Sequence, residues 1–367
     1  MKASSVVLLV VGCILIGGAG LVNAAPPVSS FPAFIALTPG SQQAEGVAVD
    51  KVGNVYVSVR EGGRGKILRF SPTGQGSLFV DLGPGDVGGL AVDAPGNVYA
   101  ATPTGVFRVS RRGKAVRLRG TEQIVGANAL AFDPRGNLYV TESSSLRAPL
   151  ICPPQSSLGQ GGVWRITPRG DVDLWLESEL LSGTCTVLGV PVGANGIVYL
   201  HSSGRRGPTS SSQCAGHRGA LYIANTEKGL ILRVPILPDG SPGLLDTWVS
   251  QIEEPYPLFG YLPTAPDGLS VDVHGNIYAA LVACAAVVRF DAVDRSQETI
   301  ARYNLFDPNR ADDPLFALLD TPASLAFGTG KGGRTTLFVT NLGWGIAQAP
   351  RPGLTKIEAG VPGLPLP

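Results

Sequence analysis

The chain has little charge and little histidine. Charged residues make up 16% of its 367 residues and the formal net charge is +1, so the sequence does not favour nucleic acid or an anionic membrane as a partner. Its three histidines include no pair at zinc-site spacing, which makes zinc the least favoured metal. The chain also lacks a Gly-x-Ser-x-Gly elbow and nucleotide-binding glycine patterns, which argues against serine-hydrolase and nucleotide chemistry.

Long apolar runs are confined to the start of the chain. Lys2 precedes an apolar stretch at residues 6–16, and residues 22–24 form a small-residue cleavage site. This pattern predicts a signal peptide at residues 1–24 and a secreted or periplasmic mature protein. The stretch is too short to span a bilayer comfortably, and no later segment reaches spanning length without charge, so no membrane span is expected.

What the sequence has in abundance is one repeated phrase. In its first copy, at residues 45–58, apolar residues alternate with small or polar ones on either side of a Val-Gly-Asn turn. This pattern predicts a β-hairpin. Further copies of the hairpin lie at residues 89–99, 129–139, 195–225, 268–278 and 324–341.

The repeat predicts an all-β fold, a six-bladed β-propeller with four-stranded antiparallel blades. Two more short strands follow the hairpin in each full unit, and four strands in about forty residues are typical of a propeller blade. The sixth unit lacks one strand, which residues 31–37 are expected to supply, closing the ring and leaving no free sheet edge. We therefore expect residues 25–367 to form one propeller domain, and the protein to be a monomer.

Four insertions interrupt the later blades, and insertions of this kind belong to loops. Those at residues 142–162, 251–266 and 302–322 are expected at the end of the channel where the innermost strands begin, where they could form a lid. The insertion at residues 202–219 is expected at the opposite end.

Four cysteines remain after the predicted leader, an even number that permits disulfides in an exported chain. Their spacing is not that of a metal ribbon. Cys152 and Cys185 both fall in loops at the end of the channel where the innermost strands begin, so we predict a disulfide between them. Cys214 falls in a loop at the opposite end, and it and Cys284 are left unassigned.

The residue that opens the first strand of each blade, here called the first position, is the main functional signal. In the six blades the first position is Glu45, Gly88, Asn128, Asn195, Asp267 and Ala323. Closing the ring brings two carboxylates and two amides of this set to one end of one channel. Such hard oxygen ligands suit a divalent cation, with calcium first and magnesium or manganese behind it.

A structural interpretation of the same residue types has to be weighed beside this one. Asn and Asp are ordinary turn and strand-entry residues, because their side chains bond the local backbone. One set of aspartates recurs with the repeat itself, at the end of the first strand, and is interpreted as structural. This set is Asp50, Asp93, Asp133 and Asp272.

Four short motifs carry a resemblance to a known family. They are Glu45-Gly46, Asn128, Asn195-Gly196-Ile197 and Pro266-Asp267-Gly268-Leu269. With these motifs the chain resembles the gluconolactonase, regucalcin (senescence-marker protein) and LRE-like superfamily of six-bladed propellers, and its blades also resemble NHL repeats. The resemblance implies that Glu45, Asn195 and Asp267 bind one divalent metal and that Asn128 helps at the metal or the substrate.

The resemblance further implies hydrolysis of a small-molecule lactone or ester, with the metal polarising the carbonyl. Asp267 is the expected general base, assisted by Asn128, and a metal-bound water is an equal alternative. Gly126 stands where sugar-lactone members tend to place an arginine, which argues against a sugar-acid substrate. The alternative function is a non-catalytic, NHL-like scaffold that binds a protein or glycan, since fold alone does not choose function.

Several remaining residues have a structural and a functional interpretation. Glu142, Asn225 and Asn341 end second strands near the quartet and are interpreted as solvated loop ends, or as outer support for the metal ligands. The tryptophans are expected to pack in the core; they are Trp164, Trp175, Trp248 and Trp344.

The histidines offer a rival catalytic group, because histidine titrates near neutral pH. His201 and His217 are expected at the end of the channel opposite the quartet, and His274 occupies a hairpin turn. A catalytic histidine is therefore not favoured.

Overall fold

Each copy of the repeated phrase forms the two innermost strands of one sheet. The computed structural model describes residues 31–143, 161–184, 192–201, 219–253, 264–303, 312–330, 333–345 and 351–365. The strands of these residues form six four-stranded sheets, each with antiparallel pairing of neighbouring strands. The predicted six-bladed propeller with four-stranded antiparallel blades is confirmed.

The first three blades follow one another along the chain. Blade 1 contains β2 (Gln42–Val49), β3 (Val55–Glu61), β4 (Arg64–Phe70) and β5 (Gly76–Pro84). Blade 2 contains β6 (Leu90–Val92), β7 (Val98–Thr102), β8 (Gly105–Val109) and β9 (Ala115–Arg117). Blade 3 contains β10 (Ala127–Phe132), β11 (Leu138–Glu142), β12 (Gly161–Ile166) and β13 (Val172–Ser178).

The last three blades complete the ring. Blade 4 contains β14 (Ala194–His201), β15 (Gly219–Asn225), β16 (Leu230–Ile236) and β17 (Asp246–Val249). Blade 5 contains β18 (Pro266–Val271), β19 (Ile277–Leu281), β20 (Ala286–Phe290) and β21 (Gln297–Arg302). Blade 6 contains β22 (Pro322–Phe327), β23 (Thr336–Asn341), β24 (Gly353–Glu358) and β1 (Phe34–Ala36).

The strand from the N-terminal side closes the ring, as predicted. β1 pairs antiparallel with β24, with Ile35 opposite Leu354. The Lys356 ammonium donates to the Phe31 carbonyl at 2.7 Å, and the Phe31 ring packs edge-on against Phe338 with ring centroids 4.9 Å apart. Backbone pairing and apolar contact therefore both hold the closing strand.

The recurring aspartates are structural, as interpreted from the sequence. In the fifth blade Asp272 accepts the Asn276 backbone N–H at 3.0 Å, the Asn276 side-chain amide at 2.8 Å and the Tyr278 hydroxyl at 3.3 Å. The intervening Gly275 has φ +87°, a conformation that favours glycine. The same contacts occur around Asp50, Asp93 and Asp133. Each aspartate thus fixes one hairpin turn.

The core consists of apolar layers between neighbouring blades. Val47 and Val57 of blade 1 pack with Phe338 of blade 6, for example, and comparable buried clusters join every adjacent pair of blades. Since each layer belongs to two neighbouring blades, burying all six layers requires the complete ring.

The tryptophan prediction is correct for three residues and wrong for one. Trp164, Trp175 and Trp248 are buried, and the latter two make edge-on contacts with tyrosines. Trp344 is 50% exposed and follows the end of β23, because the strand stops at Asn341 and the residue lies in the loop beyond it.

Short 3₁₀ turns supplement the strands at Thr121–Gln123, Glu179–Leu181 and Val282–Cys284. Cys284 is buried. The predicted leader, Cys152, Cys185, Cys214 and His217 lie outside the described residues, as does part of each insertion. No helix among the described residues has the length and apolar character needed to cross a bilayer.

Candidate functional site at the channel mouth

The four predicted ligands lie on β-bulges. In five blades the pairing between the first two strands omits two residues of the first strand. The residues on either side of each gap are Ala44 and Val47, Ala127 and Leu130, Ala194 and Ile197, Pro266 and Leu269, and Pro322 and Leu325. The skipped residues include the first position of each of these blades. A bulge re-aims a side chain away from the regular pleat, and bulges are common beside active sites. The bulges and the closed ring set the first positions around one end of the channel, here called the channel mouth.

Small residues after the first position let neighbouring inner strands touch. A β-carbon on Gly46 would lie 2.5 Å from the Gly88 carbonyl oxygen, and one on Gly196 would lie 2.1 Å from that of Asp267. Both contacts are too close for any side chain. The glycines are therefore required for the close approach of adjacent blades at the channel mouth.

Hydroxyl groups also link adjacent blades at this level. Ser58 donates to the Gly88 carbonyl at 2.7 Å and Thr141 to the Asn195 carbonyl at 2.7 Å, while Thr340 donates to the Glu45 carbonyl. Three second strands thus hold the first position of the next blade in place.

The two carboxylates of the quartet interact with each other. Asp267 is buried and Glu45 is partly buried. Burial, and then the negative charge of Asp86, raises the pKa of Glu45 to about 7. Burial, and then the negative charge of Glu45, raises the pKa of Asp267 well above its usual value, against a smaller lowering by a hydrogen bond from Asn195. The structure thus brings Glu45, Asn195 and Asp267 together.

The two asparagines are oriented by matching hydroxyl groups. Asn128 donates from Nδ2 to Ser143 at 3.1 Å, and Ser143 donates to the Ala194 carbonyl at 2.5 Å. Asn195 donates from Nδ2 to Thr226 at 3.0 Å, and Thr226 donates to the Pro266 carbonyl at 2.9 Å. With each amide nitrogen engaged in this way, each Oδ1 is left to act as an acceptor or ligand.

Sequence reasoning missed Ser143 and Thr226, although a signal existed. Each second strand has a small or hydroxyl-bearing residue next to the first strand, and Ser143 and Thr226 lie two residues after it. The other four blades have Arg60, Pro103, Val282 and Leu342 at this place. The hydroxyl therefore occurs in the two blades whose first position is asparagine. That coincidence is visible in the sequence once the blades are aligned.

Left-handed backbone precedes three of the first positions. Ala265 has φ +52° and Thr321 has φ +54°, and Gly126 has φ +92°. Such values are strained for residues with a side chain and favour glycine. This explains physically why glycine occupies position 126, where an arginine would be strained.

The residues interpreted as solvated strand ends are in fact buried, and that interpretation is wrong. Glu142 accepts the Trp164 indole N–H at 2.5 Å and the Val125 backbone N–H at 3.1 Å. Asn225 donates to the Leu180 and Ser182 carbonyls at 2.8 and 2.9 Å. Their groups are used to fix loops at the channel mouth.

Asn341 has the same kind of role in the sixth blade. It is buried, accepts the Asp320 backbone N–H at 2.8 Å and donates to Thr355 at 2.9 Å. The partners of Asn341, like those of Glu142 and Asn225, come from loops or outer strands. None of these contacts is to a member of the quartet.

The two described histidines lie away from the quartet, as predicted. His201 ends β14, the strand on which Asn195 lies near the beginning, and its Nδ1 is 3.3 Å from the Tyr199 hydroxyl. His274 is exposed in the turn after Asp272 and donates its backbone N–H to that carboxylate at 2.9 Å.

Solved structures of other proteins share this fold. A luciferin-regenerating enzyme superposes with a TM-score of 0.62 at 15% identity, over 91% of this chain and 98% of that chain. The chain has the fold of the gluconolactonase and regucalcin propellers. A gluconolactonase from Xanthomonas campestris matches at TM-score 0.58, 18% identity and 90% and 89% coverage of this chain and that one.

Regucalcin from Agrobacterium tumefaciens, described as a calcium-binding protein, matches at TM-score 0.58 and 17% identity, over 92% of this chain and 97% of that one. No protein-family model matches the sequence, and the search of curated proteins finds no match. The solved structures thus confirm, at the level of the fold, the resemblance seen in the sequence.

The donor set at the channel mouth fits a hard divalent cation. Among the described residues neither Glu45 nor Asp267 forms a salt bridge, although the charge of Glu45 acts on Asp267. Carboxylate and amide oxygens are preferred ligands of calcium and magnesium. The described residues contain no group of three or more His, Cys, Asp or Glu side chains placed to hold a metal, which leaves amide oxygens to complete the set.

Proposed function

We propose that the protein is an exported, divalent-cation-dependent hydrolase of lactones or esters, with calcium as the first candidate cation. The observation that carries this proposal is the pair of electrostatically interacting carboxyl groups, Glu45 and Asp267, at the channel mouth. Burying two like charges without a counter-ion is costly. A cation held between them and the Oδ1 atoms of Asn128 and Asn195 would remove that cost.

The chemistry follows from the properties of the four side chains. When bound, the cation would polarise the substrate carbonyl and stabilise the negative charge that develops on its oxygen. Asp267 would act as the general base that takes the proton from the attacking water. Asn128 would orient the substrate or the cation through Oδ1, with its Nδ2 held by Ser143.

Two further observations support the proposal. A gluconolactonase and a calcium-binding regucalcin are among the structures that share the fold. The predicted signal peptide at residues 1–24 indicates that the protein works outside the cytosol, in the periplasm or the medium.

The test combines calcium titration with a substrate panel. Isothermal titration calorimetry of the purified protein with CaCl₂ is run beside the Glu45→Gln/Asp267→Asn variant, and the same samples are assayed on lactones and aryl esters. A matched control, Glu122→Gln/Asp171→Asn, makes the same chemical changes at two exposed carboxylates.

We expect one saturable site in the wild type and the control, lost in the Glu45→Gln/Asp267→Asn variant together with hydrolysis. Binding without hydrolysis of any panel member would remove the enzymatic part of the proposal. Absence of binding in the wild type would favour the alternative, a propeller scaffold for a protein or glycan partner.

A further inference from the structure

The other end of the central channel contains an apolar cavity. Its volume is about 330 Å³, and all six innermost strands contribute to its wall. One ring of apolar side chains comes from the residue two places after each first position; these are Val47, Leu90, Leu130, Ile197, Leu269 and Leu325. A second ring lies two residues further along; its members are Val49, Val92, Phe132, Tyr199, Val271 and Phe327.

The residues between the two rings are small in five of the six strands, which leaves space open. They are Ala48, Ala91, Ala131, Val198, Ser270 and Ala326. Ser270 is the one hydroxyl-bearing member of this set, and its side chain makes no hydrogen bond to another described residue. The other hydroxyl groups on the wall are engaged: Tyr199 lies 3.3 Å from His201 Nδ1, and Thr329 donates to the Asp50 carbonyl.

No member of the oxygen quartet contributes to the wall of this cavity. The backbones of neighbouring blades touch at Gly46, Gly196 and Gly268, where a β-carbon would lie 2.5, 2.1 and 2.6 Å from the next blade. The wall of the cavity begins one residue beyond that level on each strand. Leu364 and Pro365 form part of its rim at the hairpin-turn end, held by the Leu364 N–H, which donates to the Val271 carbonyl at 3.0 Å.

We propose that this cavity is a second ligand site, for a small apolar molecule with one hydrogen-bonding group, such as an aromatic alcohol. Ligand pockets in proteins have volumes of roughly 300–1,000 Å³ and mostly apolar walls with a few polar groups. An apolar cavity of roughly 150 Å³ holds benzene, so this one accommodates a molecule of about twice that size. Ser270 supplies the hydrogen bond that orients the ligand.

The test uses 4-bromophenol as the probe and bromobenzene as its partner without a hydroxyl group. Both are titrated by calorimetry into the wild type, Ser270→Ala and Ser270→Leu, and a crystal soaked with 4-bromophenol locates the bromine by its anomalous signal. Leu244→Ala, at an exposed residue, is the control for nonspecific binding to the surface. Circular dichroism verifies that each variant is folded.

We expect the bromine inside the ring of the six inner strands. Ser270→Ala should weaken 4-bromophenol by about 3- to 10-fold, the effect of one hydrogen bond, and leave bromobenzene unchanged. Ser270→Leu should fill the cavity and abolish binding of both, with Leu244→Ala like the wild type. Bromine at another place, no binding up to the solubility limit, or equal binding by the folded leucine variant would overturn the proposal.

This inference is independent of the proposed hydrolase function. Calcium titration of Ser270→Leu should match the wild type, because the residue lies outside the oxygen quartet. If calcium binding is absent from the wild type, the bromophenol result still stands alone, so the two proposals can fail separately.

Discussion

The charge on two side chains determines how the channel mouth responds to pH. Glu45 has a usual pKa of 4.5, raised to about 7 in the folded protein, and the pKa of Asp267 is also raised. A carboxyl group with a raised pKa binds its proton more tightly when the chain is folded. Its contribution to stability is therefore complete below pH 4.5 and is lost as the pH rises through the folded pKa.

We expect the metal-free protein to lose stability between about pH 4.5 and pH 8. The apparent Tm in EDTA should fall by several degrees over this range, and calcium should restore it most strongly at the upper end. Glu45→Gln/Asp267→Asn should flatten the profile. A pH profile of the double variant that matches the wild type in EDTA would show that other groups control the dependence.

The sequence predicts that the four oxygen-bearing first-position residues lie at one end of the channel, because they recur at one place in an aligned repeat. Their surroundings could not. The hydrogen bonds of Ser143 to Ala194 and of Thr226 to Pro266 join positions 51 and 40 residues apart. Local propensity contains no information on such contacts, and for the same reason the sequence suggests solvated strand ends at Glu142 and Asn341, which are buried in the structure.

At the scale of elements, the hairpin is the part that the sequence determines most directly. Alternating apolar residues and an Asp-x-x-Gly-Asn turn specify both strands locally. The strand ends differ, since β2 begins at Gln42 rather than at Glu45, the residue that the repeat predicts to open it. The β-bulge at Glu45 and Gly46 interrupts the pairing of β2 with β3 only locally, and pairing resumes at Ala44. The bulge itself depends on contact with the next blade.

A hydroxyl in β23 offers a test of how blades are joined. Thr340 accepts the Ser324 N–H at 3.0 Å and donates to the Glu45 carbonyl. Thr340→Val keeps the shape but leaves both backbone groups unpaired in a buried place, so the free energy of unfolding should fall by about 1–3 kcal/mol. Urea unfolding followed by circular dichroism measures the change.

Thr336→Val is the matched control in the same strand. Thr336 is buried, and its hydroxyl bonds no described residue, so its replacement should change the free energy of unfolding by no more than about 0.5 kcal/mol. If the two variants have the same stability, the hydroxyl link between blades 6 and 1 does not contribute.

For the whole molecule, six blades and a closing strand follow from counting strands in the sequence. The incomplete sixth unit predicted the role of residues 31–37, and the pairing of β1 with β24 confirms it. The cavity at the hairpin-turn end was not predicted. Its existence depends on the distance between opposite blades, which no single repeat specifies.

Removing the closing strand should expose the outer edge of β24. We expect the chain that starts after residue 37 to unfold at a lower urea concentration than the chain that starts at residue 25, and to associate through the free edge. Size-exclusion chromatography with light scattering measures the association. A chain that starts at residue 31 is the control, and it should remain monomeric and as stable as the longer one.

A monomeric, equally stable chain without residues 25–37 would contradict this prediction. It would show that β24 does not need β1 as a partner. Loss of stability in the control chain as well would assign the effect to residues before the closing strand.

The pairing of β1 with β24 also sets an order of events in folding. Phe34 and Thr355 face each other, although 355 − 34 = 321 positions separate them in the chain. Joining ends so far apart costs about 3.5 kcal/mol more in chain entropy than closing a six-residue hairpin loop. Contacts of such high sequence separation are slow to form, so we expect the hairpins to form while the chain is being made and the ring to close last.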